Sequence, residues 1–314
     1  MKDGETWLSP REISLLRCLG DGGLPRKEVA KITGMLQPEL TRLVKSLESK
    51  GIISVHKKGI SSSIAFSDSK HASLFRRVLN EYGHMRLEEV LSLASLRVIA
   101  SLAARPASTR EELLSSSGIS PRTLHTVLRK FRGVGIVRVQ GRGVYGLSDR
   151  FVPFGDFSRE MMSFSNQRKV LAFSSDSVVI WERGSEFIVR TKARKESSDF
   201  KLTAFSAFED YGVPLIQDWH YYYHPVRDWR RTVDEVLLQS MLVRPRDARE
   251  NTAILMLWEK NGLSRRLGRI REGAARYGLE GEIETIVAYF QDPERNRPSG
   301  FPKMRDLREK MGGR

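Results

Sequence analysis

The segment Gly118–Leu147, GISPRTLHTVLRKFRGVGIVRVQGRGVYGL, decides how the chain reads. Ser120 suits a helix N-cap, and Pro121 suits the first helical position, where a missing N–H costs nothing. Leu124, Val127, Leu128 and Phe131 recur at i, i+3, i+4 and i+7, so a helix gathers them into one apolar stripe. The opposite face carries Arg122, Thr123, His125, Thr126, Arg129 and Lys130. Gly133 and Gly135 end the helix. Ile136, Val137 and Val139 lead into the turn Gly141-Arg142-Gly143, and Val144, Tyr145 and Leu147 return. The segment is predicted as a basic-faced helix followed by a two-stranded hairpin with an arginine at its tip.

The same pattern occurs 84 positions earlier. Leu40, Leu43, Val44 and Leu47 take the places of the apolar stripe, Gly51-Ile52 of Gly135-Ile136, Val55 of Val139 and Gly59 of Gly143. Upstream, Arg26, Glu28 and Gly34 match Arg110, Glu112 and Gly118. A chance helix would not keep turn glycines in step with an apolar stripe, so we read an internal duplication. In the first copy Gln37–Lys50 is the counterpart helix, with Gln37, Glu39, Thr41, Arg42, Lys45 and Ser49 outward. Its hairpin runs from Ile52 to Val55, turns at His56-Lys57-Lys58-Gly59 and returns through Ile64 and Phe66. Capping boxes open upstream helices at Ser9-Pro10-Arg11-Glu12 and at Ser108-Thr109-Arg110-Glu111. Short helices, then a basic helix, then a hairpin make the pattern of a winged helix, whose third helix enters the major groove.

The expected fold class is α+β: two tandem winged helix-turn-helix domains, then a mixed C-terminal domain ending in helices. The divisions are 1–67 and 94–150 for the two domains, 68–93 for a helical linker, 151–292 for the C-terminal domain and 293–314 for a basic tail. Phe151–Gly155 reads as a break, Ser158–Val170 as a helix, and Val178–Trp181 with Phe187–Thr191 as a hairpin. Leu202–Tyr211 reads as a short helix and Val213–His224 as a strand. Helices follow over Thr232–Leu242, Asp247–Lys260, Ser264–Tyr277 and Glu282–Phe290. The tail from Asp292 reads as peripheral.

Charge supports a polyphosphate partner. The net charge is +15. Residues 1–150 hold 25 Lys+Arg against 14 Asp+Glu, a balance of +11, while the remainder holds 28 against 24. The excess therefore lies in the half that carries the duplication. No apolar run approaches the roughly 20 residues of a membrane helix, and the N-terminus lacks a signal-peptide apolar region. The single cysteine, Cys18, excludes an intrachain disulfide and fits a cytoplasmic location.

Catalytic motifs are missing. There is no phosphate-binding G-x-x-x-x-G-K-[ST], no dinucleotide G-x-G-x-x-G after a strand and no H-E-x-x-H. His220 and His224 share one strand face beside Asp218, but two polar strand residues explain them better than a metal does. Trp219, Tyr221, Tyr222, Tyr223 and Trp229 read as a half-buried strand packed on a helix rather than as a stacking platform. Asp176, Glu182, Glu186, Asp199, Glu209, Asp210 and Asp218 show no paired spacing for Mg²⁺. No cofactor, no metal and no enzymatic activity are expected.

The candidate DNA-contacting residues divide by chemistry. Arg42 and Arg129 could read guanine through paired donors, and Gln37 could read adenine. Lys57, Lys58, Arg138 and Arg142 would meet phosphate. Thr41, Lys45, Arg122, Thr123, His125, Thr126 and Lys130 complete the two outward faces.

The first 150 residues resemble tandem winged helix-turn-helix regulators of the broad MarR/ArsR-like type. The remainder resembles, at Tyr211-Gly212-Val213, Tyr221-Tyr222-Tyr223 and Thr232–Leu238, the C-terminal part of type IV abortive-infection antitoxins. Those antitoxins usually carry one winged helix, and this chain has two. The resemblance implies a double-stranded DNA-binding transcriptional regulator. Two partners besides DNA stay open: a second copy of the chain, and a protein held by the C-terminal domain. The competing reading is an antitoxin-like or assembly protein whose winged helices mainly contact protein.

Overall fold

The structure, a computed structural model, describes residues 7–20, 22–58, 61–105, 107–141, 143–226, 229–243 and 247–311. Helix α1 (Pro10–Cys18) opens on a reciprocal capping box between Ser9 and Glu12. It is followed by β1 (Leu24–Pro25), α2 (Arg26–Thr33), α3 (Gln37–Ser49), β2 (Ile53–Lys58) and β3 (Ser61–Phe66). The strands form an antiparallel sheet in the order β1-β3-β2, with Ile53 opposite Phe66 and Leu24 opposite Ile64. Helices α4 (Lys70–Tyr82) and α5 (Leu87–Val90) intervene. Then come α6 (Ala94–Ala103), β4 (Ser108–Thr109), α7 (Arg110–Ser117), α8 (Pro121–Gly133), β5 (Val137–Val139) and β6 (Val144–Leu147), with the sheet order β4-β6-β5.

The duplication is thus repeated element by element. Each of the first four elements of the second copy, and the start of β5, lies 84 positions after its counterpart. Gly34 and Gly118 close α2 and α7 in the left-handed region, at φ 64° and 63°, where glycine escapes the Cβ clash. The return strand corrects the sequence alignment. Phe66 faces Ile53, but Leu147 faces Val137. The second hairpin is therefore three residues shorter, so the pairing of Gly59 with Gly143 does not extend along β6.

The two copies bury one shared apolar cluster. The stripe residues Leu40, Leu47, Leu124 and Phe131 are fully buried in it, as are Phe75 and Val78 of α4. Helix α9 (Val152–Phe173) supplies Phe154 and Phe157. Phe157 meets Phe75 at 4.9 Å between ring centres, and Phe154 meets Tyr82 at 4.8 Å. The break expected at Phe151–Gly155 is instead the start of this helix. Pro153 falls in the first turn, where no backbone N–H is needed. Gly155 is required there for packing, since a Cβ would lie 2.8 Å from that of Ala103. This first unit comprises Met1–Lys169 and Arg183–Ser185.

Lys50, Glu12 and His71 are buried polar groups of the first copy that find partners. Lys50 Nζ donates to Glu12 Oε1 at 2.6 Å and to the Trp7 carbonyl at 2.9 Å. His71 Nε2 lies 2.8 Å from the Lys50 carbonyl, and its ring packs on Phe164. Burial lowers the His71 pKa below its ordinary value near 6.5, so the folded ring is neutral and donates to that carbonyl. The unfolded chain takes up the proton first. The stability that His71 contributes is present above about pH 6.5 and is lost as pH falls through that value toward the lower folded pKa. Urea unfolding at about pH 7.5 and pH 5.5 should therefore show a drop that His71→Phe diminishes. An equal drop in both proteins would contradict it.

The second unit comprises Val170–Glu182 and Glu186–Arg314. Its antiparallel sheet has the order β7-β8-β10-β9, from β7 (Val178–Arg183), β8 (Glu186–Thr191), β9 (Lys201–Leu202) and β10 (His220–His224). The strand expected over Val213–His224 begins only at His220, and Pro214, which lacks the N–H a ladder needs, falls in the irregular segment before it. The helix expected over Leu202–Tyr211 is β9 followed by two short 3₁₀ turns. Helices α10 (Val233–Val243), α11 (Ala248–Lys260), α12 (Leu267–Tyr277) and α13 (Glu280–Gln291) enclose Trp258, Ile270 and Ile283. The tail is not peripheral. Helix α14 (Met304–Lys310) buries Leu307 completely, and Tyr289 donates to the Pro302 carbonyl at 3.0 Å. The chain is α+β, with small antiparallel sheets among many helices. Among the described residues no helix is long and apolar enough to cross a membrane.

Candidate nucleic-acid interface

Helix α8 is held by its apolar stripe and by its cap. Ser120 Oγ accepts from the Thr123 N–H at 3.2 Å, and Leu124, Val127, Leu128 and Phe131 face the core. That fixes which residues face away. Arg122, His125, Thr126 and Arg129 are exposed. Neither Arg122 nor Arg129 has a hydrogen-bond or ion-pair partner among the described residues. The other positions are engaged locally. The Thr123 hydroxyl lies 2.8 Å from that of Ser120, and Thr126 donates to the Arg122 carbonyl at 3.1 Å. Lys130 Nζ donates to the Glu89 carbonyl at 2.8 Å, which draws it toward α5.

The hairpin that follows is tight. The Gln140 N–H donates to the Val144 carbonyl at 2.8 Å, and Gly141 and Gly143 sit at φ 82° and 76°. Arg142 lies outside the described residues. Arg138 forms an ion pair with Asp149 at 3.2 Å. Asp149 is 85% exposed, so the pair is worth little and Arg138 can exchange it for a phosphate.

The first copy presents a different surface. Gln37, Arg42 and Lys45 are exposed on α3, and Lys57 is exposed on β2 opposite Ser62. Lys58 pairs through its backbone with Ser61, and its side chain lies outside the described residues. Thr41 is not free, because its hydroxyl donates to the Gln37 carbonyl at 2.7 Å and accepts from Arg26. Glu39 draws Arg11 to 3.7 Å. Ile32 and Leu36, at the turn between α2 and α3, are 60% and 75% exposed. The second copy carries Ser116 and Ser120 at those places.

Two residues that the sequence did not assign to the candidate interface lie beside it. Arg110 at the start of α7 and Arg132 near the end of α8 converge with His125, Arg129 and Tyr145 on an open groove of about 520 Å³. The repeat alignment had marked Arg110 through Arg26. The spacing of Arg129 and Arg132, i and i+3 on one helix, was the signal for Arg132.

Several of the groups weighed for chemistry in the second unit are engaged in local contacts. Asp176 accepts from Ser174 at 2.6 Å, from Thr191 at 2.7 Å and from the Lys192 N–H at 2.7 Å. These bonds hold its carboxyl well below the usual carboxylate range. Glu186 accepts from Tyr223, and Asp210 pairs with Arg231 at 2.6 Å. His224 packs on Phe187 and Phe200. Tyr221, Tyr222 and Tyr223 are buried, and Trp219 is covered by Arg190 and Lys192. Arg271 is clamped by Glu284 at 2.7 and 2.9 Å. Among the described residues no group of His, Cys, Asp and Glu is placed to hold a metal ion.

Comparison with protein-family models, with curated proteins and with solved structures gave no match.

Proposed function

We propose that this chain is a double-stranded DNA-binding transcriptional regulator built on two winged helices. The observation that carries the reading is α8: a capped, core-anchored helix whose outward arginines, Arg122 and Arg129, have no partner among the described residues. A shape that fits the major groove, cationic side chains free to form paired bonds to base edges, and a hairpin beside it are the requirements of direct readout. The charge excess of residues 1–150 supplies the sequence-independent share of affinity. Lys57 and Arg138 lie on hairpin strands, where they meet phosphate rather than bases. The C-terminal unit then serves oligomerisation, partner binding or sensing, in a cytoplasmic protein that needs no cofactor.

A second reading holds for the first copy alone. Its exposed Ile32 and Leu36 are apolar where the second copy has serines. That favours a protein contact through the turn between α2 and α3. Enrichment of sheared genomic duplexes on the purified chain should yield discrete fragments sharing a sequence. Recovery indistinguishable from input, with a co-purifying protein in its place, would favour the antitoxin-like or assembly role.

A further inference from the structure

We infer that the two copies divide their labour, and that the groove of the second copy is a clamp for a phosphodiester group that the first copy lacks. The inference rests on the duplex-binding reading above and names which part of the repeat grips the backbone.

The groove draws its cations from two helices. Arg110 is the first residue of α7, while Arg129 and Arg132 lie one turn apart on α8. Tyr145 of β6 and His125 add groups able to donate a hydrogen bond, and no carboxylate lines the groove. All three arginines are exposed, and none has a partner among the described residues. Three guanidinium groups converging on one open concavity repel one another, and an anion relieves that repulsion. Guanidinium forks match phosphate oxygens in pairs, and a tyrosine hydroxyl matches a further oxygen.

The first copy shows what the same scaffold looks like without the clamp. Its matching residues are Arg26, Thr41, Lys45, Glu48 and, by strand register, Ile64. Three formal positive charges become two positive and one negative. Arg26 is partly buried and donates through one terminal nitrogen to Thr41. Ile64 is fully buried where Tyr145 is partly exposed. The duplicated fold is retained while the anion-binding chemistry is present in one copy only.

The test is fluorescence anisotropy of the full-length chain on a labelled duplex at several salt concentrations. Each phosphate contact contributes about 0.9 to the slope of log affinity against log salt. Arg110→Ala/Arg132→Ala should make the slope shallower by about 1 to 2 and weaken low-salt binding roughly tenfold. Arg110→Lys/Arg132→Lys, which keeps both charges, should hold most of the slope. Lys45→Ala, at the matching first-copy position, should reduce the slope by less than the groove pair does. Thermal melts check that the variants are folded, and Arg132→Glu alone replaces the double alanine variant if that unfolds. Wild-type binding with an unchanged slope in the groove variants, or an equal loss from Lys45→Ala, overturns the clamp while leaving duplex binding intact. Absence of salt-dependent binding by the wild type overturns both.

Discussion

Replacing Lys50 with methionine is expected to destabilise the fold by about 3–5 kcal/mol. The Lys50 and Glu12 side chains are 5% and 3% exposed, with their charged atoms 2.6 Å apart. Glu12 also accepts from Ser46 at 2.7 Å and from the Ser9 N–H at 2.7 Å. Removing the ammonium leaves a carboxylate buried with hydrogen bonds but no counter-charge, and the desolvation cost is then uncompensated. The second copy carries the control. At the positions matching Glu12 and Lys50 it has Leu96 and Val134. Copying that pair as Glu12→Leu/Lys50→Val should recover stability to within about 2 kcal/mol of wild type, the residue being the lost cap on α1. Urea unfolding measures both variants. Equal losses in the single and the double variant would contradict the account.

Arg122→Ala/Arg129→Ala is expected to lower affinity for the chain's preferred duplex by about 100-fold, with no measurable change in stability. An arginine paired to a base edge, as proposed for Arg122, is worth about 1–3 kcal/mol of discrimination, and the groove residue Arg129 adds a backbone contact to the affinity. Both side chains are exposed, and neither has a partner to lose among the described residues. Competition with unrelated DNA should show that the preference shrinks together with the affinity. Lys57→Ala should instead weaken every duplex alike, since a phosphate contact carries no base information. Full affinity and preference in the arginine double variant would remove α8 from the contact.

What the sequence made legible was local. The stripe Leu124–Phe131, the cap at Ser120 and the turn glycines all act within a few residues, and the repeat doubled the signal. The C-terminal errors share a cause. Val213–Tyr223 is rich in strand formers, yet only His220 onward joins the ladder, and Pro214 could not donate to it. Pro153 and Gly155 look like punctuation, yet one sits in a first turn and the other permits close packing against Ala103. The tail is polar in composition, but it is anchored by the fully buried Leu307 and by the bond from Tyr289 to the Pro302 carbonyl. At the interface, Arg122 and Arg129 were readable from helical period. For Arg110 and Arg132 the repeat and the helical spacing were the only signals, and their convergence on one groove forms only when α7 packs beside α8. Lys130 looked outward by period, but its long stem reaches the Glu89 carbonyl 41 positions away.

The central claim, that this chain grips a DNA duplex with its repeated basic unit, is tested most directly by titrating the wild-type protein onto a duplex as salt rises from about 50 to 200 mM. The account predicts tight binding at the low end and a linear fall of log affinity with log salt, steep enough for several phosphate contacts. No binding at low salt, or an affinity indifferent to salt, would contradict it.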